Sequence, residues 1–316
     1  MASDPTNSKT APTMMFFHGN AGTIAERLPN AEGLIKHVGC NVMLVEYRGY
    51  GTSQGEPTEA GLKADAQGAI EHLKQRKDID TENLFVFGRS LGGAVAISLA
   101  AANPGALRGV LVENTFTCIR GMAGALFPFL AVLPEPWFEA LLENKWHSDD
   151  IIGDIKMPFL FLAGEQDEIV PHPQMVELWD LLGGKGRGAV GKHPEGSAII
   201  KFPTGKHNDT WTLPGYYAPL TRFVRTTAKP GSVGSVGPAA AAAAAKQVEK
   251  EEEDEDEWDP TEILTRGTID GLTVAELKKA LKARGVDHSA CVEKREMVAL
   301  LLKVNSTGSP EEPHID

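Results

Sequence analysis

Six short apolar runs recur between residues 14 and 202: Met14–Phe17, Asn41–Glu46, Leu84–Gly88, Gly109–Glu113, Pro158–Ala163 and Ala198–Phe202. Each is continuous rather than alternating, the pattern of a strand buried on both faces. Helix-like spacing fills the gaps near 22–38, 58–76, 91–102 and 172–182. A last helix falls within 209–227, broken by Pro214 and Pro219. Alternating strand and helix predict an α/β fold, a mostly parallel sheet with helices on both faces. One connection departs from the rule. Residues 115–154 carry Phe, Leu, Met, Trp and Pro without a strand and read as a small helical cap over the sheet's C-terminal edge. Gly183–Gly196, rich in Gly, Lys and Pro, reads as an inserted surface loop.

The pattern stops near Ala228, which sets the first domain at 1–229. Pro230–Pro238 is a Gly/Ser/Val linker, followed by seven alanines and an acidic run. The 230–262 segment offers no apolar face, so disorder is expected there. Order resumes in 263–304. Leu272–Gly285 is amphipathic, with Thr273 and Glu276 spaced as a capping box and Gly285 at the C-cap. A second helix, Lys294–Lys303, completes a helix–loop–helix module, and 305–316 is a polar tail.

Charge changes this picture little. The net charge is −12, but residues 246–262 hold ten acidic residues and two lysines, so the rest is only mildly acidic. That balance argues against nucleic-acid binding by the whole chain. Residues 1–13 are polar and lack a signal-peptide core. The longest apolar run, Met122–Pro134, is too short to span a bilayer. Cys40, Cys118 and Cys291 are scattered and odd in number. They suit a reducing, cytoplasmic compartment and show no disulfide framework or metal-ligand spacing.

The chemistry is carried by Phe87-Gly-Arg-Ser90-Leu-Gly-Gly93. Here an apolar strand runs through Gly-x-Ser-x-Gly straight into a small-residue helix. This is the setting of a nucleophile elbow, in which a serine sits on a sharp strand-to-helix turn. Gly51-Thr-Ser53-Gln-Gly55 matches the same pattern, but Glu56-Pro57 follows and no helix opens behind Ser53. In elbow hydrolases the acid and then the histidine follow the serine along the chain. Pro158–Gly164 ends in Glu165-Gln166-Asp167-Glu168, which puts Asp167 on the same sheet edge, with Glu165 and Glu168 as alternatives. His207 follows the last strand through Pro203–Lys206 at that edge. His172, His193, His288 and His314 are less well placed. An oxyanion hole needs two converging N–H donors. Leu91, after the serine, and Asn20, in the His18-Gly-Asn-Ala-Gly22 loop, are the candidates, with His18 orienting that loop.

These residues resemble a known family, the α/β-hydrolase domain-containing serine hydrolases of the bud-emergence (BEM) type. The matching pieces are FFHGNAG (16–22), EYRGYGTSQGEPTEAGL (46–62), FGRSLGGAVAISLA (87–100), VENTF (112–116), KMPFLFLAGEQDEIVP (156–171) and GKHNDTW (205–211). The resemblance implies the α/β-hydrolase fold and a Ser90–Asp167–His207 triad acting on an ester or thioester, with no metal or cofactor. It also implies a leading strand pair and a membrane-spanning segment before the HGN loop, where this sequence has about 13 polar residues. The expected sheet therefore lacks that pair, and membrane association depends on such a segment. The apolar cap favours acyl or lipid-like small molecules. An acylated protein is a second substrate class, and the absence of a cysteine before Cys40 counts against it. The C-terminal module resembles a SAP-like domain through LTVAELKKALKARGV (272–286) and EKREMVALLL (293–302). Its seven basic and five acidic residues over 267–304 point to a protein partner rather than DNA. The rival reading is an interaction protein with a vestigial hydrolase domain.

Overall fold

The computed structural model describes residues 8–126, 142–184 and 192–229, together with eight single positions between Leu277 and Leu302. The expected linker, the middle of the cap, part of the inserted loop and most of the C-terminal module lie outside these residues. The six apolar runs form strands β1 (Thr13–Phe17), β2 (Asn41–Val45), β3 (Leu84–Arg89), β4 (Gly109–Glu113), β5 (Phe159–Gly164) and β6 (Ala198–Phe202). They make one parallel sheet in the order β2-β1-β3-β4-β5-β6. Among the described residues β2 is an edge strand that pairs only with β1.

Helices cover both faces. They are α1 (Leu28–Gly33), α2 (Glu59–Gln75), α3 (Leu91–Ala102), α4 (Ile119–Leu126), α5 (Ser148–Ile151), α6 (Pro173–Leu182) and α7 (Tyr217–Thr227). Strand alternation sorts the core into two halves. Met15, Phe17, Val86, Val110 and Phe161 pack with Leu62, Ile70, Val95 and Leu178 of α2, α3 and α6. Met14, Phe16, Phe87, Leu111 and Leu160 face the other way, against Ala31 of α1 and Leu220 and Phe223 of α7. Because both faces are buried, neither could be polar, which is why the strands read as unbroken apolar runs.

Two helical segments differ from expectation. The 22–38 segment divides into a 3-10 turn, α1 and a wide turn over Leu34–Val38, ending at Gly39 in the left-handed region (φ 75°). The last helix starts only after Pro214 and carries Pro219 at its third residue. A proline in the first turn removes no intrahelical bond, so it does not break the helix. Residues 115–154, expected as a cap, contribute α4 and α5 to the described structure.

The chain divides into two compact units, Met1–Ala242 and Ala243–Asp316. In the second, Leu277, Ala280, Leu281 and Leu301 are buried together, with Val286, Val298 and Leu302 beside them. No helix among the described residues is long and apolar enough to cross a membrane.

Candidate active site

The parallel register aligns the strand ends. Phe17 lies level with Gly88, Arg89 with Glu113, and Gly164 with Phe202. The segments that follow β1, β3, β4, β5 and β6 therefore leave the sheet along one edge, where ligands bind in open parallel sheets.

Ser90 stands between β3 and α3 with φ 54° and ψ −122°. Positive φ in a non-glycine residue costs about 1–3 kcal/mol and persists only where neighbours enforce it. Here they do. Ser90 N donates to Glu113 O (2.9 Å), and its carbonyl accepts from Gly93 N (2.8 Å) and Thr115 Oγ1 (2.7 Å). Gly92 allows the crossing, since a Cβ there would collide with the Phe17 carbonyl. Ser53 has no positive φ and lines a groove of about 640 Å³ with Met43 of β2 and Asp65 of α2. The lining of that groove includes neither Ser90 nor His207.

Asp167 follows β5 with its side chain 1% exposed. Its Oδ1 accepts from Ile169 N (2.9 Å) and Val170 N (2.7 Å). Its Oδ2 lies 2.8 Å from Nδ1 of His207, whose side chain is also buried. A carboxylate can only accept, so Nδ1 carries the proton and Nε2 is left as the basic nitrogen. The other histidines that follow Asp167 among the described residues are engaged elsewhere. His193 stacks on Trp179 with Nε2 2.9 Å from its carbonyl, and His172 lies 4.0 Å from Glu165.

A polar frame beneath His207 is not evident from the motif. Arg89, the residue before the serine, donates through Nη2 to the His207 carbonyl and to Asn208 Oδ1 (2.8 Å). Its Nε lies 3.3 Å from Glu113 Oε1, and the Tyr216 hydroxyl donates to Glu113 Oε2. Arg89 and Glu113 are both buried. Burial pushes the Glu113 carboxyl up and Arg89 opposes it. Asn114, in the left-handed region (φ 48°), donates to Lys206 O (3.1 Å) and Thr210 Oγ1 (3.1 Å) and accepts from Gly164 N (2.8 Å). The available signal was a charged Glu-Asn pair ending an apolar strand, with an arginine ending the neighbouring one.

The loop after β1 approaches the serine. A Cβ built on Gly19 would lie 3.8 Å from Ser90 Oγ. Asn20 is exposed, and its Oδ1 accepts from the Tyr50 hydroxyl (2.6 Å). Leu91 is buried at the first position of α3. His18 is fully buried, with Nε2 2.9 Å from Glu46 Oε1, Nδ1 2.8 Å from Gly19 O and its ring against Tyr47. Burial lowers its pKa, with Glu46 opposing. These contacts match the part of a loop-orienting residue.

Residues 8–151 match the family model described as Hydrolase_4, serine aminopeptidase S33. The α/β hydrolase domain-containing protein WAV2 of Arabidopsis thaliana is 42% identical over 216 residues, which are 65% of this chain and 66% of that protein. Protein bem46 of Schizosaccharomyces pombe is 39% identical over 217 residues, 68% of each chain. In the solved esterase Pf2001 of Pyrococcus furiosus the same fold recurs, at a TM-score of 0.54 and 21% identity, over 72% of this chain and 86% of that one. An all-parallel sheet, a serine in the left-handed region at a strand-to-helix turn, and sequence kinship over at least 216 residues lead to one conclusion: the chain belongs to the Bem46/WAV2 family of α/β-hydrolases.

Proposed function

We propose that this protein is a serine hydrolase that cleaves ester or thioester bonds of acyl or lipid-like substrates. The observation that carries the reading is the buried 2.8 Å His207–Asp167 hydrogen bond on the sheet edge that also bears the strained Ser90 turn. In this reading Ser90 Oγ attacks the carbonyl carbon while His207 Nε2 takes its proton. Asp167 holds the tautomer and stabilises the imidazolium that forms. The N–H of Leu91, at the start of α3, and that of Asn20 receive the oxyanion, where fixed dipoles act without reorganising. His207 then returns the proton to the leaving alcohol or thiol. Water, deprotonated by the same nitrogen, releases the acid from the acyl-enzyme. Arg89 and Asn114 act at one remove, by holding the backbone around His207.

The substrate class rests on the apolar composition of 115–154, in which Ile119 and Met122 pack against the core. The family description names an aminopeptidase, so an amide is the comparison to make. Steady-state hydrolysis of p-nitrophenyl acyl esters of graded length should be lost in Ser90→Ala and retained in Ser53→Ala. An aminoacyl p-nitroanilide should turn over far more slowly. Preferential amide cleavage would move the protein to the peptidases, and ester turnover surviving in Ser90→Ala would remove the nucleophile.

A further inference from the structure

The three cysteines show no metal-ligand spacing along the chain, but folding assembles a donor set that spacing conceals. Cys118, just before α4, meets His147 and Asp149, which flank the start of α5. One donor atom from each lies within 4.8 Å of the other two. The two segments are laced by backbone hydrogen bonds: Ile119 N to Lys145 O (2.9 Å), Ser148 N to Thr117 O (2.9 Å) and Asp149 N to Thr117 O (3.2 Å). Gln174 of α6 holds the Cys118 side from behind. Its buried Oε1 accepts from Thr117 N (3.2 Å) and Thr117 Oγ1 (2.6 Å). These bonds hold the backbone that carries the trio in one place.

Two details separate this cluster from an ordinary polar network. His147 Nδ1 and Asp149 Oδ1 are 3.7 Å apart, too far for a hydrogen bond. Two ligands of one tetrahedral zinc, with bonds of about 2.0–2.3 Å, lie about 3.3–3.8 Å apart. Asp149 Oδ1 is also buried with no hydrogen bond of normal geometry. The Asp149 carboxyl lies against the Cys118 thiol and the His147 imidazole, the two other donors a cation there would share. A divalent ion would bind the thiolate and carboxylate forms of Cys118 and Asp149. Cys118 Sγ accepts from Gly121 N (3.2 Å) in the first turn of α4, which fixes its position. Asp150 Oδ2, 3.8 Å from His147 Nδ1, adds negative charge at the exposed side, where water or this carboxylate can complete the shell.

We propose that Cys118, His147 and Asp149 form a zinc-type metal site that clips together the two ends of the cap. A thiolate, an imidazole and a carboxylate are borderline-soft donors suited to zinc rather than to calcium or magnesium. The site is structural. It ties residue 118, where the chain leaves the sheet edge, to residues 147–149, where the chain returns. It is independent of the hydrolase reading, and its test does not read hydrolysis.

The test is titration of the chelator-stripped full chain with Co²⁺, followed by absorbance. The wild type should bind one Co²⁺ with a thiolate-to-metal charge-transfer band that Zn²⁺ displaces. Cys118→Ser should lose the band and bind Zn²⁺ at least about tenfold more weakly, while Cys40→Ser and Cys291→Ser should keep it. A folded wild type without the band, or a band surviving in Cys118→Ser, would overturn the site. Asp149→Asn gives a second reading if the serine variant fails to fold. Zn²⁺ should raise the melting temperature of the wild type and not that of Asp149→Asn, and an equal rise in both would also overturn it.

Discussion

In the proposed triad, the proton on His207 Nδ1, donated in a hydrogen bond to Asp167, decides which ring nitrogen is left to act as the base. Asp167→Asn offers an amide N–H in place of an acceptor and selects the other tautomer. Ester turnover should fall by up to about 10⁴-fold with little change in fold. A loss below about tenfold in single-turnover assays would take Asp167 out of the triad. His18 makes a separate, pH-dependent prediction. Its pKa in the folded chain lies below the ordinary 6.5, chiefly through burial. Below that value the unfolded chain binds a proton that the folded chain refuses. The stability contribution is therefore complete above about pH 6.5 and is lost as the pH falls toward the lowered value. Urea midpoints of the wild type should drop between about pH 7.5 and 5.5, and those of His18→Gln should drop less. Parallel curves would show that His18 does not carry the dependence. What the sequence made legible at this scale is position: Ser90, Asp167 and His207 each follow a strand, β3, β5 and β6, on the same sheet edge. Arg89, Glu113 and Asn114 escaped because their meeting depends on the β3–β4 register and on a loop about 90 residues further along the chain.

At the scale of elements, the site hangs on the junction of β3, α3 and β4. Arg89 ends β3 and Glu113 ends β4, and their register pairing buries the ion pair beneath the His207 loop. Removing one member of a buried pair leaves the other charge unpaired, at a cost of about 3–5 kcal/mol. Arg89→Ala should therefore destabilise the domain by about that amount in urea unfolding. Activity at low temperature should fall as well, because the loop carrying His207 loses its anchor. A change below about 1 kcal/mol would mean that the pair is not buried in solution. The elements themselves were legible where burial imposed a pattern. All six strands and α3 matched within a residue or two, because a two-sided core admits only apolar side chains. Pattern failed where local chemistry took over. The 22–38 segment broke into three pieces, and Pro219 proved harmless because it fell in a first turn.

At the scale of the whole molecule, every residue assigned to the catalytic site lies in the unit Met1–Ala242. A chain ending at residue 229 should therefore hydrolyse a small soluble ester within about twofold of the full-length rate. A strong change would give the C-terminal region a part in the chemistry. The shift in composition after Ala228, visible in the sequence, precedes the boundary between the two units, at Ala242–Ala243, by about a dozen residues. The Cys118–His147–Asp149 cluster was the opposite case. Cys118 and His147 are 29 residues apart along the chain, and only the return of the cap to the sheet edge brings them together. The central claim is that Ser90 is an activated nucleophile, and covalent labelling tests it most directly. A fluorophosphonate reacts only with a serine whose proton is taken by a correctly held base. After incubation with the full chain, peptide mass spectrometry should find one adduct per chain, on Ser90, lost in His207→Ala and retained in Ser53→Ala. An adduct on Ser53, or labelling of a folded Ser90→Ala variant, would contradict the account.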